Sequence, residues 1–196
     1  MNISFDYRMK DWSGIGRYSE SLISKMKQEL VFKKNLNLIV NNIQKYKKSK
    51  FIKCNSNVFS ILEQIELPII NIKNNIDLYH SPHFVFPFFN KSKIIITIHD
   101  ITPLLFKEMF SLKARLYMKL MIWFSKFRAD KIITVSQNTK NDLVELFNFK
   151  QNKIEVIYNG VDESYKIVKN PKNIKQVKIF YYMLEILSHI KIFQGF

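Results

Sequence analysis

The strongest constraint on this chain is a regular alternation: short apolar runs rich in β-branched residues, each closed by a polar turn, with segments of helical periodicity between them. The clearest run is Ile94-Ile95-Ile96-Thr97-Ile98. A run with so little polar alternation is expected to be a parallel strand buried on both faces. Asp77 to His80 has the same character, and Asn2 to Tyr7, Leu36 to Val40, Phe51 to Cys54, Lys131 to Val135 and Lys153 to Tyr158 extend the set. Between runs, Ile15, Tyr18, Leu22, Ile23, Met26 and Leu30 recur at threes and fours, which predicts a helix from Ile15. Further helices are expected over Val58 to Ile65, over Leu112 to Arg128, and from Ser136, with that serine as N-cap. Strands alternating with helices imply a parallel sheet covered on both faces, the doubly wound α/β arrangement.

Composition narrows the class. With 196 residues, 47% hydrophobic and 14% aromatic, the chain can bury enough apolar surface to offset its ordering entropy. The single cysteine, Cys54, excludes an intramolecular disulfide framework and metal sites built on cysteine pairs, and it points to the cytoplasm. Met1 to Lys10 lacks the apolar region of a secretory signal, and no stretch reaches the roughly 18 apolar residues of a membrane span. The formal charge of +15 favours anionic partners. Much of the excess is lysine scattered among Asn and Ile, all residues with AT-rich codons, so coding bias accounts for much of it. Lys45 to Lys50 reads as a solvated loop. Residues 112–128 set Lys113, Arg115, Lys119, Lys126 and Arg128 among large apolar residues. Such a basic amphipathic helix can lie on an anionic membrane, and an ordinary helix packed on a sheet looks much the same. No nucleic-acid-binding signature accompanies the charge, so nucleic acid is not expected as a partner.

Open α/β sheets bind ligands outside the carboxyl ends of their strands. The loops to search are therefore Ser13-Gly14-Ile15-Gly16-Arg17, Ser81-Pro82-His83, His99-Asp100, Ser136-Gln137-Asn138 and Asn159-Gly160-Val161-Asp162. Gly14 and Gly16 open a helix, where backbone amides approach a phosphate and the helix dipole favours negative charge; a tight turn beside a solvated Arg17 gives the same pattern. A nicotinamide-binding fingerprint is disfavoured, because position 19 is Ser19 and the second strand ends in Val40-Asn41-Asn42 without an acid. His99 emerges directly from the most apolar strand with Asp100 beside it, which suits either a mechanistic role or a hydrogen-bonded core histidine. His80 and His83 are separated by Pro82, which argues against one helix presenting both to a metal, and no metal site is expected. Glu155 and Glu163 read as coincidental.

Taken together, Phe5-Asp6-Tyr7-Arg8, Ser13-Gly14-Ile15-Gly16-Arg17-Tyr18, Asp77-Leu78-Tyr79-His80-Ser81-Pro82, Thr97-Ile98-His99-Asp100-Ile101-Thr102-Pro103, Ala129-Asp130-Lys131-Ile132-Ile133-Thr134-Val135-Ser136 and Val156-Ile157-Tyr158-Asn159-Gly160-Val161-Asp162 resemble the amino-terminal half of family 4 glycosyltransferases. They look most like mannosyltransferase-type enzymes of bacterial polysaccharide and lipopolysaccharide assembly, over roughly residues 1–170. The resemblance implies a GT-B architecture of two Rossmann-like domains, the first holding mainly the acceptor and the second the nucleotide-sugar donor. It further implies hexosyl transfer, mannose being the first choice, to a glycan or lipid-linked acceptor. Retention of configuration is expected, with no bound metal and no cofactor beyond the donor substrate. Carried over by residue, it places Gly14 and Gly16 near the donor phosphates and His99 against the transferred sugar, with Asp100 orienting that histidine or its loop. Ser13, Arg17, Ser136 and Asn138 join the glycines as donor-phosphate or acceptor contacts. Fixed hydrogen-bond donors suit this chemistry, since charge develops on a departing diphosphate and an oxocarbenium-like sugar. The family's donor-binding carboxylate pair lies in the second domain, so Glu155 and Glu163 are not its counterpart. A cytoplasmic protein is expected, in peripheral contact with the inner face of the plasma membrane through residues 112–128.

Residues 171–196 do not read like the family and stand where the donor domain should begin. Back-translated with AT-rich codons and read two bases later, Phe180 to Phe196 gives a Tyr-Val-Gly-Asn-Ile-Lys-Pro-like segment resembling the opening of that domain. A frameshift near Lys178 is therefore expected, with Ile179 to Phe196 packing poorly. The alternative is a catalytically inactive acceptor-binding or membrane-surface remnant lacking the donor domain.

Overall fold

The computed structural model describes residues 1–29, 35–45 and 51–160. Within them lie strands β1 (Ile3–Asp6), β2 (Leu36–Val40), β3 (Phe51–Lys53), β4 (Leu78–Ser81), β5 (Lys93–Ile98), β6 (Lys131–Thr134) and β7 (Ile154–Val156). Five helices connect them: α1 (Ser13–Met26), α2 (Glu63–Lys73), α3 (Thr102–Leu105), α4 (Leu112–Arg128) and α5 (Gln137–Phe147). The strands form one sheet in the order β3-β2-β1-β4-β5-β6-β7, every pairing parallel. The chain runs outward from β1 to β3, crosses back through α2 to β4, and runs outward again to β7. The connections diverge between β1 and β4, the topological switch point where such sheets open a ligand crevice. Leu30, Tyr46 to Lys50, Val161, Asp162, Glu163 and the whole segment 171–196 with its expected non-native packing lie outside the described residues.

The sheet has the doubly wound arrangement that the alternation predicts, and side-chain alternation along each strand divides the core between its faces. Ile3 and Phe5 of β1 pack with Leu36, Leu38 and Val40 of β2 against Ile23 of α1. On the other face, Ile39, Tyr79, Ile94, Ile96, Ile98 and Ile132 pack against Leu67 and Ile70 of α2, Met118, Met121 and Ile122 of α4, and Leu143 of α5. All residues of β1 and β2 are buried, as expected for central parallel strands. Helix α4 has the bounds its periodicity predicts. Ser136 caps α5 by accepting the Thr139 amide at 3.1 Å, and Asn148 closes that helix in the left-handed region with φ 55°.

The helix expected over Val58 to Ile65 is displaced. Phe59 adopts φ 67°, which no helix accommodates, so 58–62 form turns and α2 begins at Glu63. The helix then runs through Pro68, because burial of Leu67, Ile70 and Asn71 against the sheet outweighs the hydrogen bond that a proline cannot donate.

What holds 58–63 in place is a buried ionic cluster at the switch point. Arg8 grips Asp6 with two contacts, Nε to Oδ1 at 2.9 Å and Nη2 to Oδ2 at 2.7 Å. Its Nη2 also reaches Glu63 Oε2 at 2.8 Å, and its Nη1 donates to the Ser56 carbonyl at 3.2 Å. Tyr79 donates to Asp6 from β4 at 3.0 Å, and the Phe59 amide donates to Glu63 Oε1 at 3.0 Å. The three charged side chains are at most 2% exposed. Burial works against the Arg8 charge, but Asp6 overcomes it and holds the guanidinium protonated. Burial pushes the Glu63 carboxyl up, against the pull of Arg8.

Two outcomes follow from this packing. Replacing Arg8 by Met leaves two carboxylates buried without their counter-charge, and urea unfolding should show a loss of about 3–5 kcal/mol. Adding Glu63→Gln should recover part of it, and a loss under about 1 kcal/mol would show that the cluster does not hold this edge together. A Cβ on Gly16 would overlap the Lys10 carbonyl, whereas nothing lies within 4 Å of one on Gly14. Gly16→Ala should therefore cost about 1–3 kcal/mol, while Gly14→Ala should change stability by no more than about 0.5 kcal/mol; equal costs would contradict this packing.

Candidate active site

The loops after β1, β4, β5 and β6 lie along one edge of the sheet, and His99 touches residues from three of their neighbours, while the loop at Asn159 runs out of the described residues at Gly160. His99 follows β5 directly, is half-buried, and places Nε2 at 2.9 Å from the Pro82 carbonyl at the end of β4. A carbonyl only accepts, so Nε2 carries the proton and Nδ1 of the neutral ring is left as an acceptor. Burial lowers the His99 pKa, opposed by the Pro82 contact and by Asp100, so the ring is neutral at pH 7. Tyr18 of α1 meets the imidazole edge-on, with ring centroids 5.0 Å apart and planes at 90°. The Tyr18 hydroxyl lies 3.2 Å from Thr97 Oγ1, which in turn lies 3.2 Å from His80 Nε2. This chain of contacts locks α1 across β4 and β5 and fixes the tyrosine beside His99. From the other side, Thr139 Oγ1 donates to the His99 carbonyl at 3.1 Å and draws in the start of α5.

The glycine loop forms the first turn of α1. Trp12 occupies the N-cap position without a side-chain cap, and the first turn contains no acidic residue. Within the helix, no side chain of the first turn offsets the positive end of its dipole. Gly14 is exposed to open space, while Gly16 is buried against the backbone of Met9 and Lys10. The two glycines therefore differ in kind: Gly16 permits a close approach within the fold, and Gly14 keeps the helix entrance clear. Ser13 and Arg17 are exposed on the same turn.

Asp100 and Ser136 also make local backbone contacts. The Asp100 carboxylate accepts the Thr102 amide at 2.9 Å, so it braces the loop rather than the imidazole ring. Ser136 Oγ is committed to capping α5 and lies 2.9 Å from Thr139 Oγ1, while Asn138 is exposed on the first turn of that helix. His80 is a core residue, its pKa lowered to about 4 by burial. His83 is buried as well, lowered to about 3 by burial and then by His99, and its Nδ1 has no hydrogen-bond partner. Glu155 is exposed on β7. Among the described residues, no three His, Cys, Asp or Glu side chains gather as metal ligands would, and no helix is long and apolar enough to cross a membrane.

Sequence reasoning leaves Trp12, Tyr18, Phe59 and the Arg8–Glu63 pair without site roles. Opposite charges two apart at the end of an apolar strand, Asp6 and Arg8, are the available signal for the cluster. Nothing local marks Phe59, whose place depends on a glutamate held by a distant arginine.

The family model for Glycosyltransferase Family 4 matches residues 34–165. The O-antigen chain mannosyltransferase RfbU of Salmonella typhimurium strain LT2 is 35% identical over 77 residues, which make up 39% of this chain and 21% of that protein. The structure of Anabaena Alr3699/HepE in complex with UDP-glucose superposes with TM-score 0.57 at 16% identity, over 93% of this chain and 50% of the other. A glycosyltransferase from Rickettsia africae ESF-5 gives TM-score 0.52, also at 16% identity, over 92% of this chain and 49% of its own. The match thus spans about a fifth of the curated relative and about half of the solved structures, and at such identities the structural likeness speaks for the Rossmann-like fold of GT-B enzymes alone. With two thirds of its length matched by the family model, the chain belongs to glycosyltransferase family 4.

Proposed function

We propose that this chain forms the acceptor-side half of a retaining, metal-independent hexosyltransferase. In this reading it moves a hexose, mannose first, from a nucleotide sugar to a polysaccharide or lipid-linked glycan acceptor of the lipopolysaccharide type. The observation behind it is His99, a neutral imidazole with Nδ1 left as acceptor, held at the strand ends beside the uncapped start of α1. A diphosphate placed against the exposed turn at Gly14 would meet oriented backbone amides and the positive end of the helix, which offset the charge left by a departing sugar. Nδ1 of His99 would accept a hydroxyl of that sugar, while Pro82 and Tyr18 fix the ring. Asp100 acts on the loop through the Thr102 amide. The names of the relatives support the substrate class: one is an O-antigen chain mannosyltransferase, and the other was solved with UDP-glucose.

The reading includes a cytoplasmic protein in peripheral contact with anionic membrane. Helix α4 buries Met118, Met121, Ile122 and Ser125 on its inner face, yet leaves Leu112, Leu116, Leu120, Trp123 and Phe127 exposed along the opposite stripe. Its charged residues are all basic. Such a helix binds a surface by apolar burial together with attraction to anionic headgroups.

Calorimetric titration of the chain with GDP-mannose and with UDP-glucose tests the main reading. At least one should bind, and His99→Ala should weaken it by roughly three- to tenfold, the worth of one hydrogen bond. Binding of neither would leave an inert remnant as the better description. Vesicles containing phosphatidylglycerol should sediment the chain, less so at high salt or with Leu120→Glu, and equal sedimentation with pure phosphatidylcholine would remove the membrane contact.

A further inference from the structure

The rim holds one feature that the transfer chemistry above does not use. Trp12, from the loop after β1, and Phe59, from the turns after β3, lie with ring centroids 5.7 Å apart and planes tilted by 40°. They remain 43% and 40% exposed, although both are large apolar side chains. Beneath them the aromatic packing continues: Phe59 meets His83 at 5.3 Å, Phe84 at 6.0 Å and Tyr117 at 5.9 Å. The edge is continuous with the candidate centre, because His83 follows Pro82, whose carbonyl holds His99.

Two costs are stored here. Phe59 has φ 67°, a left-handed conformation that a bulky side chain adopts only when its surroundings enforce it. The enforcement is visible: its amide donates to Glu63, which the buried Arg8 clamps. Below the ring, His83 presents a buried nitrogen with no partner. Uncompensated polar atoms of this kind are rare and call for an explanation. Strain and an orphaned nitrogen together, at the switch point of an α/β sheet, mark a surface shaped for something other than stability.

We infer that Trp12 and Phe59 form an aromatic shelf that seats a pyranose ring of the acceptor glycan. A pyranose has an apolar face of axial C–H groups and a rim of hydroxyls. Two tilted rings match the first, since aromatic side chains offer large apolar area in a fixed geometry. The second needs hydrogen-bonding groups beside the shelf, and His83, its ring centroid 5.3 Å from that of Phe59, carries an unpartnered nitrogen there. The shelf borders the glycine loop, since Trp12 is the N-cap residue of α1, so an acceptor sugar seated there would lie next to the first turn of that helix. This inference rests on the proposed glycosyl transfer and assigns its acceptor subsite.

The chain has two tryptophans, Trp12 and Trp123, so Trp123→Phe leaves Trp12 as the only indole reporter. This variant is titrated with the methyl α-glycosides of mannose, glucose and galactose, with sorbitol as an acyclic polyol control. At least one glycoside should change the Trp12 emission saturably, while sorbitol should not. Phe59→Asn removes the ring but tolerates the left-handed backbone, and it should weaken that response at least tenfold without loss of the folded circular-dichroism spectrum. Phe59→Tyr should restore it. A response absent for every glycoside, shared by sorbitol, or unaltered by Phe59→Asn would overturn the shelf. No nucleotide is present, so a negative result here leaves the donor titration to stand or fall separately.

Discussion

The fold's functional edge depends on one guanidinium. Arg8 lies at the carboxyl end of β1 and joins, within about one side chain's reach, the strand that begins the sheet, the loop after β3 and the first turn of α2. Buried ion pairs of this kind add little net stability against an apolar alternative, but breaking one is costly because the remaining charges have nowhere to go. Their effect is therefore to select one arrangement. Here that arrangement sets where α2 starts, and with it the backbone of Phe59. The clamp also spans the switch point, since Tyr79 of β4 donates to the same carboxylate that Arg8 holds.

On that foundation the edge is assembled by polar contacts between elements, not by the loops' own preferences. His99 is fixed from three directions: by Pro82 after β4, by Tyr18 from α1 and by Thr139 from α5. Each comes from an element whose apolar face is already seated on the sheet, so the imidazole is positioned by the packed core. The consequence is a site with a preset protonation state. Its buried neighbours His80 and His83 are kept neutral by desolvation and do not compete for the role.

How much of this is legible in the sequence follows from the range of the interactions involved. Parallel strands buried on both faces leave a local trace, and the run at Ile94 to Ile98 is readable for that reason. The bounds of α4 and the Ser136 cap are likewise local matters of periodicity and capping. Residues 58–73 defeat a local reading because their conformation is decided 55 residues away, by Arg8 on Glu63. The same limit applies to roles. Gly14 and Gly16 are alike in sequence and opposite in environment, and Asp100 follows His99 yet turns to the Thr102 amide. A serine that reads equally well as cap and as ligand, such as Ser136, can be assigned only once its hydroxyl has a partner.

A phosphate-bearing ligand has a rival destination on this molecule. A polar cavity of about 670 Å³ opens at the opposite edge of the sheet, lined by Lys91, Lys93, Arg128, Lys131 and Lys153 with Asp130 as its only acid. On charge alone it is attractive to an anion. Amide chemical-shift mapping of the chain with GDP-mannose or UDP-glucose, whichever binds, separates the two. The account predicts shifts centred on Gly14, Ile15, Tyr18 and His99 at the carboxyl ends of the strands. Shifts centred instead on Lys91, Lys93 and Lys131 would contradict it.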